Sequence, residues 1–187
     1  TPIEKAMFVE DIKLAQQPNL LGIEEPEDSE FALSVAFQNT NQSAFPYVNG
    51  KPQDISLHRN CLGEDLDGSS HSILVSQFKL SGTDLLCAGS NTAQPIVSGV
   101  NDFLVRYMLQ DHSSANTPLF AFGDAGLVSA PQDWSKVQAV KVCLELVGKE
   151  HIDTAGATYI RCDGEEADRG NKLRVVFHNT FHLHNRA

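Results

Sequence analysis

The segment 137–147, VQAVKVCLELV, is the feature of this sequence that most restricts its fold. Apolar residues occupy alternate positions along it: Val140, Val142, Leu144 and Leu146. The positions between them hold a mixed set: Ala139, Lys141, Cys143 and Glu145. Because successive side chains of a strand point to opposite faces of a sheet, this segment predicts a β-strand with one face on a core.

The same period of two recurs along the chain. It predicts strands over 31–37, 73–80, 84–88, 103–107, 158–162 and 172–185. We expect the last two of these strands to complete the sheet that contains 137–147. The strands 73–80 and 84–88 flank Ser81-Gly82-Thr83, which indicates a hairpin. Asn, Gly and Pro favour loops over 39–54 and over the long stretch 111–133.

Residues 3–16 are mostly helix formers without Gly or Pro, and Pro18 follows them. They predict an N-terminal helix. A helix followed by runs of strands is an α+β pattern with a mainly antiparallel sheet. We therefore expect a single domain over 1–187, with the helix in 1–17 and the sheet and loops in 18–187. A helix without a preceding cap has the appearance of the end of a longer one.

The four cysteines are widely spaced: Cys61, Cys87, Cys143 and Cys162. No C-x-x-C motif is present, which disfavours zinc ribbons and thioredoxin-like redox sites. An even number of such cysteines suits two disulfides in an oxidising compartment. Three connectivities are possible, and four buried free thiols are the alternative. We favour Cys61–Cys87 and Cys143–Cys162, because each closes a local loop that contains a turn signal.

The charge of the chain excludes several classes of partner. A formal net charge of -10 argues against nucleic acid and against anionic lipid. No apolar run is long enough to span a bilayer. The sequence contains none of the common hydrolase, zinc-protease, P-loop or dinucleotide motifs. We therefore expect neither an enzyme nor a cofactor.

Three of the seven histidines lie close together near the end of the chain: His178, His182 and His184. On a strand they share one side, while Phe177, Phe181 and Leu183 take the other side and pack on a core. His182 and His184 are near enough to share a metal ion, but two ligands rarely suffice. We favour the interpretation that these histidines lie on the polar face of an edge strand, and we predict no metal site.

Several segments together resemble the PilW family of minor pilins of type IV pilus systems. They begin with Cys61-Leu62-Gly63 and Leu86-Cys87-Ala88-Gly89 and continue through 94–100 and 104–107. Trp134 with 137–144 and the final stretch 173–177 to Asn185-Arg186 complete the set, and Met7–Ala15 is similar to the last turns of the long pilin helix. The resemblance covers most of the chain from Cys61 onward and depends on the order and spacing of these segments.

The resemblance implies a structural role in pilus assembly. Such minor pilins form a complex with other minor pilins that primes polymerisation and lies at the pilus tip. The expected partners are other minor pilins, the major pilin and the inner membrane, reached through an N-terminal hydrophobic half-helix that this chain lacks. The implied location is the inner membrane with a periplasmic globular domain, and the extracellular pilus tip after assembly.

Two alternatives remain open. A minor pseudopilin of a type II secretion system belongs to the same structural class. A secreted module that binds carbohydrate or metal, with His182 and His184 as candidate ligands, belongs to a different one.

Overall fold

Antiparallel strands make up nearly all of the described structure. This structure is a computed structural model that describes residues 19–23, 26–27, 30–39, 41–48, 51–56, 58–65, 73–89, 92–111, 119–128, 134 and 136–183. The first strands are β1 (Asn19–Gly22), β2 (Leu33–Gln38), β3 (Asn41–Val48), β4 (Lys51–Ser56), β5 (Ile73–Ser81), β6 (Asp84–Ala88) and β7 (Gln94–Ser98). The remaining strands are β8 (Val100–Asp111), β9 (Leu119–Gly123), β10 (Val137–His151), β11 (Thr158–Ile160), β12 (Glu166–Asp168) and β13 (Lys172–His182).

The α+β fold class predicted from the sequence is wrong. Helical structure in the described residues is limited to short 3-10 turns such as Ala125–Leu127, and no α-helix packs on a sheet there. The prediction depended on the helix formers in 3–16, which lie outside the described residues. Intrinsic helix propensity is a weak indicator when no packing partner is known, and the described part is an all-β structure.

The strands form two main sheets. Sheet I has the order β1-β2-β5-β6-β7, and sheet II has the order β13-β10-β8-β9. Two hairpins, β3–β4 and β11–β12, form separate two-stranded sheets. The described neighbours are antiparallel throughout, with β10 paired to β8 on one side and to β13 on the other.

The core lies between the two sheets. Leu20 and Leu33 of sheet I pack with Val105, Tyr107 and Val140 of sheet II. We call the face of sheet II that carries these core residues its front face, and the opposite face its back face. The front face extends along every second residue of β8, β10 and β13, because residues paired across strands share a face.

Tyr107 fixes how closely β1 approaches sheet II. Its ring is buried and meets Trp134 edge-on, with ring centroids 4.9 Å apart. A Cβ added at Gly22 would clash with the Tyr107 hydroxyl oxygen. Only glycine fits at this position without moving the tyrosine.

Most predicted strands are present, and the hairpin of β5 and β6 turns at Gly82, whose φ is +59°. Three predictions are wrong. The expected loop 39–54 contains the hairpin β3–β4, whose strands flank Asn49-Gly50, a dipeptide typical of two-residue hairpin turns. The expected loop 111–133 contains β9. Strand β11 pairs with β12 instead of joining sheet II.

Both favoured disulfides are present. Cys61–Cys87 joins the segment before β5 to β6, with Cα atoms 6.3 Å apart. Cys143–Cys162 joins β10 to the turn after β11, with Cα atoms 5.7 Å apart. No free cysteine remains among the four. The second bridge holds the β11–β12 hairpin against the back face of sheet II.

Candidate functional site

Strand β13 forms one edge of sheet II and exposes an apolar strip. The members of this strip share the front face, with the polar Asn179 between the last two, and are Leu173, Val175, Phe177 and Phe181. Phe177 is 54% exposed and Phe181 is 52% exposed. We call these four residues the β13 strip.

The strip continues the front face beyond the area that sheet I covers. Val140 of β10 is 4% exposed, whereas its cross-strand partner Phe181 is half exposed. The sequence predicted that Phe177, Phe181 and Leu183 all pack on the core. Leu183 does pack against it, but the two phenylalanines remain about half exposed and do not belong to the core cluster. An exposed apolar row of this kind is a candidate surface for contact with another protein.

The main-chain groups of β13 are open along its outer side. Leu183 donates its N–H to the carbonyl of Gln138 over 2.8 Å. Because backbone groups of successive strand residues point to opposite sides, odd-numbered residues of β13 bond to β10 and even-numbered ones point outward. No other strand pairs with this side within the described part of the chain.

Two contacts close the ends of this open edge. The carbonyl of Arg174 accepts a hydrogen bond from Arg169 Nη1 over 3.3 Å. The N–H of Thr180 donates to Asn179 Oδ1 over 2.9 Å. Between them, Val176 and His178 present outward N–H and C=O groups. Such an edge can accept a strand from another chain.

The histidines lie on the back face of β13, as predicted for a polar strand face. His178 and His182 are exposed, and His178 Nε2 lies 4.0 Å from Cys143 Sγ. His184 lies outside the described residues. In the described ranges, no group of three His, Cys, Asp or Glu side chains is arranged to hold a metal ion.

A buried carboxylate lies farther along the back face. The Glu145 side chain has no exposed surface, and its Oε1 accepts three hydrogen bonds. The donors are Arg174 Nη1 at 2.8 Å, Tyr159 Oη at 2.7 Å and Asn101 Nδ2 at 2.9 Å. Its Oε2 lies 3.9 Å from Arg161 Nε and has no hydrogen-bond partner among the described residues.

This cluster joins four separate parts of the chain. Glu145 belongs to β10, Asn101 to β8, Arg174 to β13 and Tyr159 to β11. The register shift between β8 and β10 next to Glu145 brings Asn101 within reach of the carboxylate. The cluster therefore fixes the hairpin over the back face, with Cys143–Cys162 beside it.

Burial changes the acidity of two groups in this region. Desolvation raises the pKa of the Asp102 carboxyl, and the charge of Glu145 raises it further. Desolvation also raises the pKa of the Tyr159 hydroxyl, as does its hydrogen bond to Glu145. The tyrosine therefore stays protonated and donates to the carboxylate at neutral pH.

The sequence placed Glu145 on a strand face but did not identify its partners. The available signal was a charged residue within an otherwise apolar strand, two residues from Cys143. The partners Asn101, Tyr159 and Arg174 are remote in sequence. Only the disulfide and the hairpin that it holds bring Tyr159 over the carboxylate.

Sheet II also borders a small cavity. It has a volume of about 60 Å³ and lies between Ile23, Pro26 and Phe103. Ligand pockets for small molecules measure roughly 300–1,000 Å³. This cavity is too small for such a ligand.

Comparison with known proteins gives one family. The family model described as type IV pilus-assembly protein W (PilW) matches residues 67–185. No curated protein and no solved structure matches the chain. In the part of the chain that the structure describes, no helix is long and apolar enough to cross a membrane.

Proposed function

This chain belongs to the PilW family of type IV pilus-assembly proteins, and we propose that it is a minor pilin that helps to prime pilus assembly. Family membership implies a role in pilus assembly, interaction with other pilus components and a location in the cell envelope. The proposed subunit forms the pilus tip complex with other minor pilins. Its globular domain faces the periplasm before assembly and lies at the extracellular tip afterwards.

The β13 strip is the observation that supports this proposal most directly. Phe177 and Phe181 are each about half exposed on the face that elsewhere forms the core. Half-burying a phenylalanine side chain contributes about 1 kcal/mol, so covering several such residues stabilises a complex. The strip and the open edge beside it therefore form the contact surface for a neighbouring pilus subunit.

The role is structural and needs neither catalysis nor a cofactor. The polar cluster around Glu145 consists of charge-paired and hydrogen-bonded groups that fix the hairpin. A carboxylate engaged in this way is held in place by its partners and is not directed toward a substrate.

Deletion of the gene in the cells that encode it tests the proposal. The expected result is a loss of surface pili, restored by the wild-type gene supplied in trans. Wild-type piliation after deletion would contradict the proposal. Normal piliation together with a secretion defect would favour the type II secretion alternative instead.

A further inference from the structure

Two cations lie directly opposite each other on the back face of sheet II. Lys141 of β10 is paired with Arg106 of β8. Neither side chain makes an ion pair or a hydrogen bond within the described part of the chain. Like charges at directly opposite positions destabilise a sheet. An acidic group brought from outside would remove this repulsion.

The row that contains these two cations reaches the open edge. Thr180 of β13 is the cross-strand partner of Lys141 and the last residue of the row. His178 and His182 lie on either side of Thr180 on the same face, and both are exposed. The side chains of this row and the two histidines beside it are therefore cationic or neutral, in a chain whose net charge is -10.

The composition of β13 agrees with the lack of acidic side chains in this row. The strand KLRVVFHNTFH contains no Asp or Glu. Its front positions carry the β13 strip and Asn179. Its back positions carry Val176 and Thr180 together with four basic residues, Lys172, Arg174, His178 and His182, of which Arg174 is paired with Glu145. A strand added at this edge would place one set of its side chains beside mainly apolar residues and the other set beside a face that carries His178, His182 and, one strand farther in, Lys141.

Distances permit contact between such a strand and Lys141. Neighbouring strands lie about 4.8 Å apart, so an added strand would run about 10 Å from β10. Only the small Thr180 side chain stands between Lys141 and the edge in that row. A glutamate on the added strand and the lysine can bridge this separation above the threonine.

We infer that β13 binds an extended segment of another pilus subunit in which apolar and acidic residues alternate. This inference rests on the proposed function and names the chemistry of the partner. The apolar residues of that segment cover Phe177 and its neighbours on the front face. The acidic residues face His178, His182 and Lys141 on the back face. The outward N–H and C=O groups of Val176 and His178 form the main-chain hydrogen bonds with the added segment.

Other occupants fit these observations less well. Pairing of β13 with β13 of a second copy would place basic residues against basic residues without any acid between them. An anionic membrane would repel a chain of net charge -10. An acidic peptide segment is attracted locally by Lys141, His178 and His182. It also forms hydrogen bonds with the outward N–H and C=O groups of β13.

Binding of a synthetic peptide to the 187-residue chain tests the inference. The probe is a labelled peptide in which valine and glutamate alternate, followed by fluorescence anisotropy. The matched control is a peptide of the same composition with the alternation scrambled. We expect the alternating peptide to bind and the scrambled one not to bind. Equal binding of both peptides, or no binding of either, would overturn the inference.

Variants of the chain test whether the basic side chains contribute to peptide binding in addition to the main-chain hydrogen bonds of β13. The double change Arg106→Gln and Lys141→Gln is expected to weaken binding about tenfold, and added salt should weaken binding to the unmodified chain. Lys51→Gln on β4 and Lys149→Gln near the C-terminal end of β10 form the matched control and should change little. An equal loss from both pairs would reduce the effect to net charge and overturn the inference.

N-methylation of the probe tests strand addition without changing the protein. Antiparallel addition uses the N–H groups of the acidic residues, and parallel addition uses those of the apolar residues. Methylating the N–H groups of one set of residues should abolish binding, whereas methylating those of the other set should leave binding intact. If neither set matters, the peptide does not add to the edge.

The peptide assays and the gene deletion give independent answers. Loss of pili on deletion without binding of the alternating peptide would leave the proposed function standing and remove this inference. Stronger binding to phosphatidylglycerol vesicles than to the peptide would also overturn it. A dimer of the chain that dissociates on Val176→Pro would assign the edge to a second copy and contradict it.

Discussion

Arg174 on β13 donates from Nη1 to Oε1 of Glu145 on β10 over 2.8 Å, and the Glu145 side chain is fully buried. The pair links the edge strand to the centre of sheet II. Tyr159 of the hairpin donates to the same oxygen over 2.7 Å. One carboxylate thus fixes both the edge strand and the hairpin that covers the back face.

We expect Arg174→Met to lower the free energy of unfolding by about 3–5 kcal/mol, because it leaves a buried carboxylate without its closest charge partner. Urea unfolding measures the change. Arg161→Met is the matched control. Its Nε lies 3.9 Å from Glu145 Oε2 and its side chain is 37% exposed, so its loss should cost about 1 kcal/mol or less.

Neutralising the carboxylate should recover part of that loss. In a chain with both Arg174→Met and Glu145→Gln, no buried charge is left unpaired, and the glutamine oxygen still accepts from Tyr159 and Asn101. The double variant is therefore expected to be more stable than Arg174→Met alone. Equal or lower stability would contradict the assignment of the cost to an unpaired charge.

Removal of the Cys143–Cys162 bridge by serine at both positions is expected to cost about 3 kcal/mol by the loop-entropy model. Its specific effect should be faster hydrogen exchange across β11 and β12. Removal of Cys61–Cys87 should cost a similar amount while the exchange of β11 and β12 stays slow. If the two double variants gave the same exchange pattern, the first bridge would not be the one that holds the hairpin.

Asp102→Asn is expected to stabilise the protein at neutral pH. The folded state raises the pKa of Asp102 above its ordinary value of 3.8. The charged form is therefore disfavoured on folding. The free energy of unfolding falls as the pH rises from the ordinary pKa of Asp102 to its higher pKa in the folded state. Asparagine does not ionise, so the variant does not lose stability in this way. Its side-chain oxygen still accepts a hydrogen bond from the Phe103 N–H.

Urea unfolding of the Asp102→Asn variant at several pH values provides the measurement. The advantage over the wild type should be present at pH 7 and disappear near pH 3, where Asp102 is protonated in both states. An advantage that persists in acid would mean that packing, not the charge, causes it.

Phe177→Ser is expected to change stability by about 1 kcal/mol or less, because the ring is already half exposed, and to abolish pilus formation in complemented cells. Ile96→Ser on β7 is the matched control, since Ile96 is 43% exposed on the opposite sheet. It should leave piliation unchanged. Normal piliation with Phe177→Ser would exclude the β13 strip from assembly.

Local patterns in the sequence predicted the central strands well. The alternation in 137–147 and 103–107 gives β10 and β8, because both strands present one apolar face to a core. The β3–β4 hairpin was missed although Asn49-Gly50 is a strong hairpin signal, since Pro46 and Pro52 favoured a loop. The signal for the turn outweighed the prolines.

The properties of the candidate site depend on contacts that no local pattern encodes. Phe177 and Val140 look alike in sequence, each being apolar on an alternating strand. Val140 lies in the core between the two sheets, whereas Phe177 is 54% exposed, and that difference is set by the tertiary packing of the sheets. The burial of Glu145 likewise depends on a hairpin tethered from 19 residues away.

The most direct test of the account is a photo-crosslinking amino acid placed at Phe177 in cells that assemble pili, with Ile96 as the matched position. Mass spectrometry of the crosslinked products identifies the neighbour. We expect position 177 to crosslink to another pilus subunit and position 96 not to do so. Absence of any crosslink to a pilus subunit from position 177 in piliated cells would contradict it.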